Sequence, residues 1–254
     1  MHPTDDPTII QSIFVRKRNA LLLRGQFTPL YTDYYLHLMK HGIRHPGDLD
    51  QMLKDALAVL TLHLTARPWA ETTAWTASLR APRVNLFVTG SPIGQCVTGR
   101  IFTEDVREPD RNCLYSQTTT EKSPEPRTST LEVAGKDPFA WVSQFYQKSE
   151  QRPGRAFRLG DENFALLTAQ PDCDLAWLEN LDEAAVAAID TTEETGLLET
   201  RSFRFECGCT IERILPILGG WKDRMDELFG DSESISIQCP RCAARYAVSR
   251  EMIS

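Results

Sequence analysis

Four of the seven cysteines in this chain stand as two close pairs near its C-terminal end. Cys207 and Cys209 form a Cys-x-Cys motif, and Cys239 and Cys242 form a Cys-x-x-Cys motif. The 29 residues of the range 210–238 separate the motifs, and a segment of that length is too small to build a stable hydrophobic core. Something other than a core has to hold this part of the chain together.

Four thiolates are a ligand set that zinc takes in structural sites, where each sulfur lies about 2.3 Å from the metal in a tetrahedron. The segment between the pairs has room for two short helices, one beginning near Thr210 and the other over 221–229. The strands "SISIQ" and "ARYAVS" lie on either side of the second pair. The sequence predicts one structural zinc ion, with no open position for catalysis, bound by Cys207, Cys209, Cys239 and Cys242.

The two pairs also suit a change between zinc-bound thiolates and local disulfides. Gly208 gives the Cys-x-Cys motif the flexibility that a bridge between residues i and i+2 needs. Three nearby arginines favour the thiolate over the thiol: Arg213, Arg241 and Arg245. A static zinc module would usually have two Cys-x-x-Cys knuckles, so the Cys-x-Cys motif indicates redox chemistry.

Composition narrows the class of protein. The chain has 254 residues, of which 41% are hydrophobic and 25% charged, as in globular proteins. No apolar run approaches the roughly 18 residues that span a bilayer, and the N-terminal stretch lacks the pattern of a signal peptide. The net charge of −7 argues against a basic surface for nucleic acid. We expect a cytoplasmic protein whose cysteines serve metal or redox chemistry instead of a disulfide framework.

The region before residue 170 predicts an α+β domain with a mixed sheet. A strand and then a helix are expected over 20–42. A second helix, capped by Asp48, should run to about Ala66, with apolar side chains round most of its circumference, as in a buried helix. We interpret His63 on that helix as a core residue. Five β-like stretches follow, and Asp137 opens a further helix.

The composition changes between Pro171 and Glu206, where ten acidic residues stand against two arginines. Apolar residues at helical spacing accompany the charges, so we interpret the stretch as a helical linker of low stability. The predicted organisation is an α+β domain over 1–170, an acidic helical linker over 171–205 and a zinc-binding redox-switch domain over 206–254.

The segments "FECGCTIER" and "CPRC" at this separation resemble the C-terminal zinc switch of the 33 kDa chaperonin family, the redox-regulated heat shock holdase. The segment "FYQKSEQRPGRAFRL" is similar to the family's helix ending in Ser-Glu-Gln-x-Pro-x-Arg, and "RGQFTPLYTDYYLHLMKHG" corresponds to its N-terminal region. Two departures stand out. "SLRAPRVNL" replaces the family's usual Gly-Asp-Gly-Pro-like turn, and Ala243 and Ala244 follow the second pair where many members carry glycine.

The resemblance implies an ATP-independent holdase of the stress response, not an enzyme. In the reduced state zinc would hold the C-terminal domain compact while the linker packs on the N-terminal domain. Peroxide-type oxidants and unfolding stress would form the disulfides Cys207–Cys209 and Cys239–Cys242, release zinc and unfold the linker. Unfolding client proteins would then bind, with a homodimer as the possible active form. The remaining thiols, interpreted as buried small apolar residues, are Cys96, Cys113 and Cys173.

Three other functions stay open at this point. A constitutive zinc-stabilised adaptor would bind a partner protein without switching. A thiol–disulfide oxidoreductase would use Cys239 and Cys242, but it needs a strand-to-helix corner, and strand-like residues stand on both sides of this pair. Nucleic-acid binding through the cluster of Arg241, Arg245 and Arg250 conflicts with the acidic surroundings. No membrane partner is expected.

Overall fold

The computed structural model describes residues 6–253. Residues 1–5 and 254, at the outer limits of the predicted domains, lie outside the described residues. The strands are Thr8–Val15 (β1), Ala20–Gln26 (β2), Glu71–Leu79 (β3), Val84–Ser91 (β4), Cys96–Phe102 (β5), Cys113–Thr120 (β6), Ser123–Glu132 (β7), Gly154–Arg158 (β8), Asn163–Ala169 (β9), Thr195–Phe205 (β10), Ser234–Gln238 (β11) and Arg245–Ser249 (β12). The α-helices are Thr28–His41 (α1), Gly47–Thr65 (α2), Pro138–Phe145 (α3), Leu175–Asn180 (α4), Glu183–Ala187 (α5), Ile189–Thr192 (α6), Ile211–Leu218 (α7) and Met225–Phe229 (α8).

Ten of the strands in the described part of the chain form one sheet, in the order β7-β6-β3-β4-β5-β10-β1-β2-β9-β8. Its pairings are antiparallel except between β5 and β10, which run parallel where Arg204 and Phe205 lie beside Cys96 and Val97. The predicted α+β class with a mixed sheet is confirmed. The hairpin between β3 and β4 is also present, with Leu79 opposite Val84, although its turn departs from the family's usual sequence.

Strand β10 corrects the expectation that the whole linker is helical. The chain is helical only in short pieces up to Thr192, and then joins the centre of the large sheet as β10, paired along its length with β1. The residues of "TRSFRF" alternate, and Arg201, Phe203 and Phe205 are buried on one side. That period of two is typical of a strand. The acidic composition of the stretch masked it in the sequence.

Helix α2 is the buried helix that the sequence predicts. It begins at Gly47 with Pro46 as its N-terminal flanking residue, so Asp48 lies in the first turn and not at the cap. A carboxylate there still interacts favourably with the helix dipole. His63 is 1% exposed, and its Nδ1 lies 3.0 Å from the hydroxyl of Tyr146. The core interpretation of this histidine is confirmed.

The part of the large sheet formed by β1, β2, β9 and β8 has apolar side chains on both faces. One face packs into the main core with helices α1 to α3. The other face forms a second cluster, which the helices α4 to α6 cover. These short helices therefore stabilise the sheet by burying apolar area that would otherwise meet water.

Beyond β10 the chain forms a small module from α7, α8 and the hairpin of β11 and β12. Among its described residues, its own core has three buried members, Phe229, Val248 and Ile253, with partly buried side chains around them. The predicted helices near Thr210 and over 221–229 and the two strands are present, the second helical piece beginning as a 3-10 turn over Gly219–Arg224. No helix within residues 6–253 combines the length and the apolar character that crossing a membrane requires.

Candidate metal centre

The four motif cysteines meet at one point because both motifs sit at the ends of strands. Cys207 and Cys209 follow β10 directly as it leaves the large sheet, and Cys239 and Cys242 occupy the turn between β11 and β12. Cys239 and Cys242 are 5% and 2% exposed, whereas Cys207 and Cys209 are half-buried. The second pair lies between two strands, unlike the strand-to-helix corner of a thiol–disulfide oxidoreductase.

The sulfur positions fit a tetrahedral metal ion. All four Sγ atoms lie within 4.8 Å of one another. Two of the separations join the motifs: 3.7 Å from Cys207 to Cys239 and 3.4 Å from Cys209 to Cys242. Sulfurs bound at about 2.3 Å round one zinc ion stand about 3.8 Å apart, which follows from tetrahedral geometry. The four cysteines are therefore positioned to bind a metal ion.

The backbone at each motif holds an unusual conformation. Gly208 has φ +65°, in the left-handed region, and its carbonyl accepts a hydrogen bond from Arg213 at 2.7 Å. Ala243, just after the second pair, has φ +61°. Two backbone hydrogen bonds tie this second turn, from Cys239 N to the Ala244 carbonyl and from Ala243 N to the Cys239 carbonyl. Because a left-handed residue with a Cβ costs roughly 1–2 kcal/mol, glycine would suit position 243 better than alanine.

The thiols do not share charge equally. Hydrogen bonding from Cys242, with help from the positive charge of Arg241, holds the pKa of Cys207 well below its ordinary value. The pKa of Cys242 is raised for the reciprocal reason, and burial raises the pKa of Cys209. The cluster thus carries negative charge on Cys207 even at neutral pH. Thiolates are both the metal ligands and the nucleophiles of cysteine chemistry.

Tyr246, on β12, is a site residue that the sequence analysis missed. Its hydroxyl donates to the Cys209 carbonyl at 2.7 Å and lies 3.2 Å from the Cys209 sulfur. Burial and this sulfur contact raise its pKa above the ordinary value. The aromatic at this alternate position of "ARYAVS" is the only signal that the sequence offered.

The turn that carries Cys239 and Cys242 docks on the large domain. Arg100 of β5 donates to the Cys239 carbonyl at 2.9 Å and to the Gln238 side chain at 3.0 Å. His37 Nε2 of α1 lies 2.9 Å from the Cys242 carbonyl. Each buried cysteine is therefore contacted at its backbone carbonyl by one side chain of the large domain, from β5 for Cys239 and from α1 for Cys242. Local sequence patterns gave no signal for these contacts, because 139 and 205 residues separate the partners.

The other three thiols lie outside the four-sulfur group. Cys96 begins β5, Cys113 begins β6 and Cys173 precedes α4. All three are half-buried. The interpretation as buried small apolar residues therefore holds only in part. Burial raises the pKa of Cys96 and Cys173, which makes them poorer nucleophiles than a free cysteine.

Residues 161–249 match the family model described as Hsp33 protein. This range includes β9, the acidic helices, β10 and all four clustered cysteines. Over this range the chain is similar to the Hsp33 family. No curated protein matches its sequence.

A likeness of fold to a solved structure extends beyond this range. The structure is similar to the crystal structure of the 33 kDa chaperonin (heat shock protein 33 homolog) from Thermotoga maritima, with a TM-score of 0.72 over 98% of this chain and 97% of that one. The sequences are 13% identical. The motif "FYQKSEQRPGRAFRL" lies before the range of the Hsp33 family match. In that part of the chain the similarity consists of this motif and of the shared fold.

Proposed function

We propose that this chain is a redox-regulated, ATP-independent holdase chaperone of the cytoplasm that binds unfolding proteins after its four-cysteine zinc centre is oxidised. The observation that carries the proposal is the meeting of four thiols from two motifs, within the range of residues 161–249 that matches the Hsp33 family model. A cytoplasmic location fits, because thiols are kept reduced there until an oxidant arrives.

Zinc, held by Cys207, Cys209, Cys239 and Cys242, would supply on the order of 10–16 kcal/mol of binding free energy to the fold of the tail. The tail's own three-member core is small. Without the metal we expect residues 206–253 to lose their compact structure. The sheet and the helices packed in its main core have a larger core and should remain folded.

Oxidation removes the metal ligands by making disulfides of them. Each pair of ligand thiolates gives two electrons to one peroxide molecule and the sulfurs form one S–S bond, while the O–O bond breaks and two protons from solvent complete two molecules of water. Two peroxides therefore consume all four ligands. The expected bridges are Cys207–Cys209 and Cys239–Cys242.

The docking contacts offer a route from the cysteines to the rest of the chain. Arg100 and His37 contact the carbonyls of Cys239 and Cys242, and β10 connects the first motif to the linker helices. A rearranged cysteine turn would release these contacts. The linker helices are short and acidic, so little intrinsic stability opposes their unfolding.

The test is an aggregation-protection assay on a thermally unfolding client, with the reduced zinc-loaded chain compared with the peroxide-treated chain. We expect protection only after oxidation, with one zinc ion released per chain. A matched control replaces Cys96, Cys113 and Cys173 by serine and should behave as the wild type. A second variant, Cys239→Ser, should bind zinc poorly.

Two results would count against the proposal. Equal protection by the reduced and oxidised chains would favour a constitutive zinc-stabilised adaptor. Protein purified under reductant without zinc would remove the metal centre altogether.

A further inference from the structure

The linker helices lie on a specific surface of the large domain. Their four buried apolar side chains, Leu178, Leu181, Val186 and Ile189, pack on the outer face of β1, β2, β8 and β9. Beneath them lie apolar residues of those strands, among them Leu22, Phe157 and Leu167. We call this face, covered by residues 175–192, the linker-covered face.

Basic residues surround the linker-covered face, although the chain as a whole has a net charge of −7. Arg18 contacts Asp174 at 2.7 Å and Glu193 at 3.0 Å. Arg24 contacts Asp190 at 2.6 Å. The acidic residues that made the linker conspicuous in the sequence are therefore partly paired with one arginine of β2 and one of the turn that precedes it.

A third arginine recognises the linker through its backbone. Arg155 of β8 donates from one terminal nitrogen to the carbonyls of Leu178 and Glu179, both at 2.8 Å. These carbonyls lie at the C-terminal end of α4, where carbonyl groups lack partners within the helix and carry partial negative charge. This contact would hold any short helix that ends at the same place, whatever its side chains.

We propose that Arg18, Arg24 and Arg155 make the linker-covered face selective for acidic amphipathic segments of client proteins. This inference rests on the proposed function, which requires the linker to leave. The ligand it predicts has apolar side chains on one face of a short helix and carboxylates at its flanks. Arg18 and Arg24 would select the carboxylates, and Arg155 would hold the helix end.

The probe is a fluorescent peptide of residues 172–194 in which Cys173 is replaced by serine. Its binding is measured by anisotropy to the oxidised full-length chain. It is measured also to a reduced full-length variant, Leu178→Asn with Ile189→Asn, whose own linker is weakened without oxidation. The second receptor keeps the test independent of the redox switch.

The decisive comparison is between two neutralised peptides of equal net charge. Asp190→Asn with Glu193→Gln removes carboxylates that contact Arg24 and Arg18. The control, Glu179→Gln with Glu183→Gln, removes two exposed carboxylates for which no ion pair is seen among the described residues. Since partly exposed ion pairs contribute about 0.2–1 kcal/mol each, we expect the first peptide to bind roughly 5- to 10-fold more weakly than the wild type. The control should change by less than about 2-fold, and high salt should reduce the difference.

Receptor variants complete the design. Arg18→Gln with Arg24→Gln should bind both neutralised peptides alike, whereas Arg80→Gln with Arg111→Gln, at exposed pairs elsewhere, should keep the wild-type preference. Equal binding of the two neutralised peptides to the unaltered arginines would overturn the inference, as would absence of binding to both receptors. Failure of oxidation to give protection, with selective binding to the weakened-linker variant, would overturn the proposed function alone.

Discussion

The side chain of Arg201 anchors β10 to the buried helix α2. It is 5% exposed, and one terminal nitrogen donates to the carbonyl of Leu64 at 2.9 Å and to that of Arg67 at 2.8 Å. Its other nitrogens pair with Glu199 at 2.6 and 3.0 Å, and the guanidinium lies 4.5 Å from the ring centroid of Trp69. A cation here meets the negative end of the helix dipole.

Replacing Arg201 by methionine should keep the packing volume and remove these interactions. Two hydrogen bonds from a charged donor account for about 3 kcal/mol at the low end of the usual range. The pair with Glu199, whose side chain is 33% exposed, adds about 0.5 kcal/mol, as expected for a pair that reaches solvent. We therefore expect the free energy of unfolding to fall by about 3.5 kcal/mol.

The measurement is urea unfolding of the reduced, zinc-loaded chain. With a slope of about 3 kcal/mol per molar urea, the expected loss lowers the midpoint by about 1 M. Arg201→Lys should fall between the two, since an ammonium keeps the charge but lacks the planar fork. Arg111→Met, at an exposed pair with Glu132, is the matched control and should change stability by less than about 0.5 kcal/mol.

A loss below about 1 kcal/mol for Arg201→Met would refute the reasoning, because the buried hydrogen bonds would then contribute no more than a surface pair. An equal loss in the Arg111 control would refute it as well. In either case β10 would be held mainly by its pairing with β1.

Three further outcomes are expected. Peptide mass mapping after peroxide treatment should find disulfide bridges inside each cysteine motif. Bridges between the motifs would close loops of over 30 residues and stabilise the compact tail by about 3–4 kcal/mol. Finding them would contradict the proposed unfolding of the tail. Arg100→Leu, which removes the bond to the Cys239 carbonyl, should speed proteolysis of the reduced tail about tenfold, as a charged hydrogen bond contributes roughly 1.5 kcal/mol; a rate equal to that of Arg111→Leu would argue against the docking role. Burial holds the pKa of His63 well below its ordinary value, so below pH about 6.5 the unfolded chain takes up a proton there and the folded chain does not. The free energy of unfolding should therefore fall by about 1.4 kcal/mol from pH 7.5 to 5.5. The variant His63→Gln should lack this pH-dependent loss in the same unfolding series.

Local sequence patterns predicted much of the fold and identified the candidate metal ligands. Each of three features can be read from a short stretch of sequence: the apolar circumference of α2, the alternation in the strands, and the pairs Cys207/Cys209 and Cys239/Cys242. Side-chain periodicity and ligand type are local properties. The helical interpretation of Thr195–Phe205 was wrong because composition outweighed a short period-two pattern.

The sequence by itself determined which thiols can share a metal ion, which helix is buried and where acidic charge accumulates. Only the tertiary structure decided that β10 enters the centre of the sheet, that Arg18 and Arg24 meet the acidic linker, and that Arg100 and His37 hold the cysteine turn. These contacts join residues far apart in the chain. Such pairings depend on how strands are ordered and helices docked, and no local propensity specifies that order.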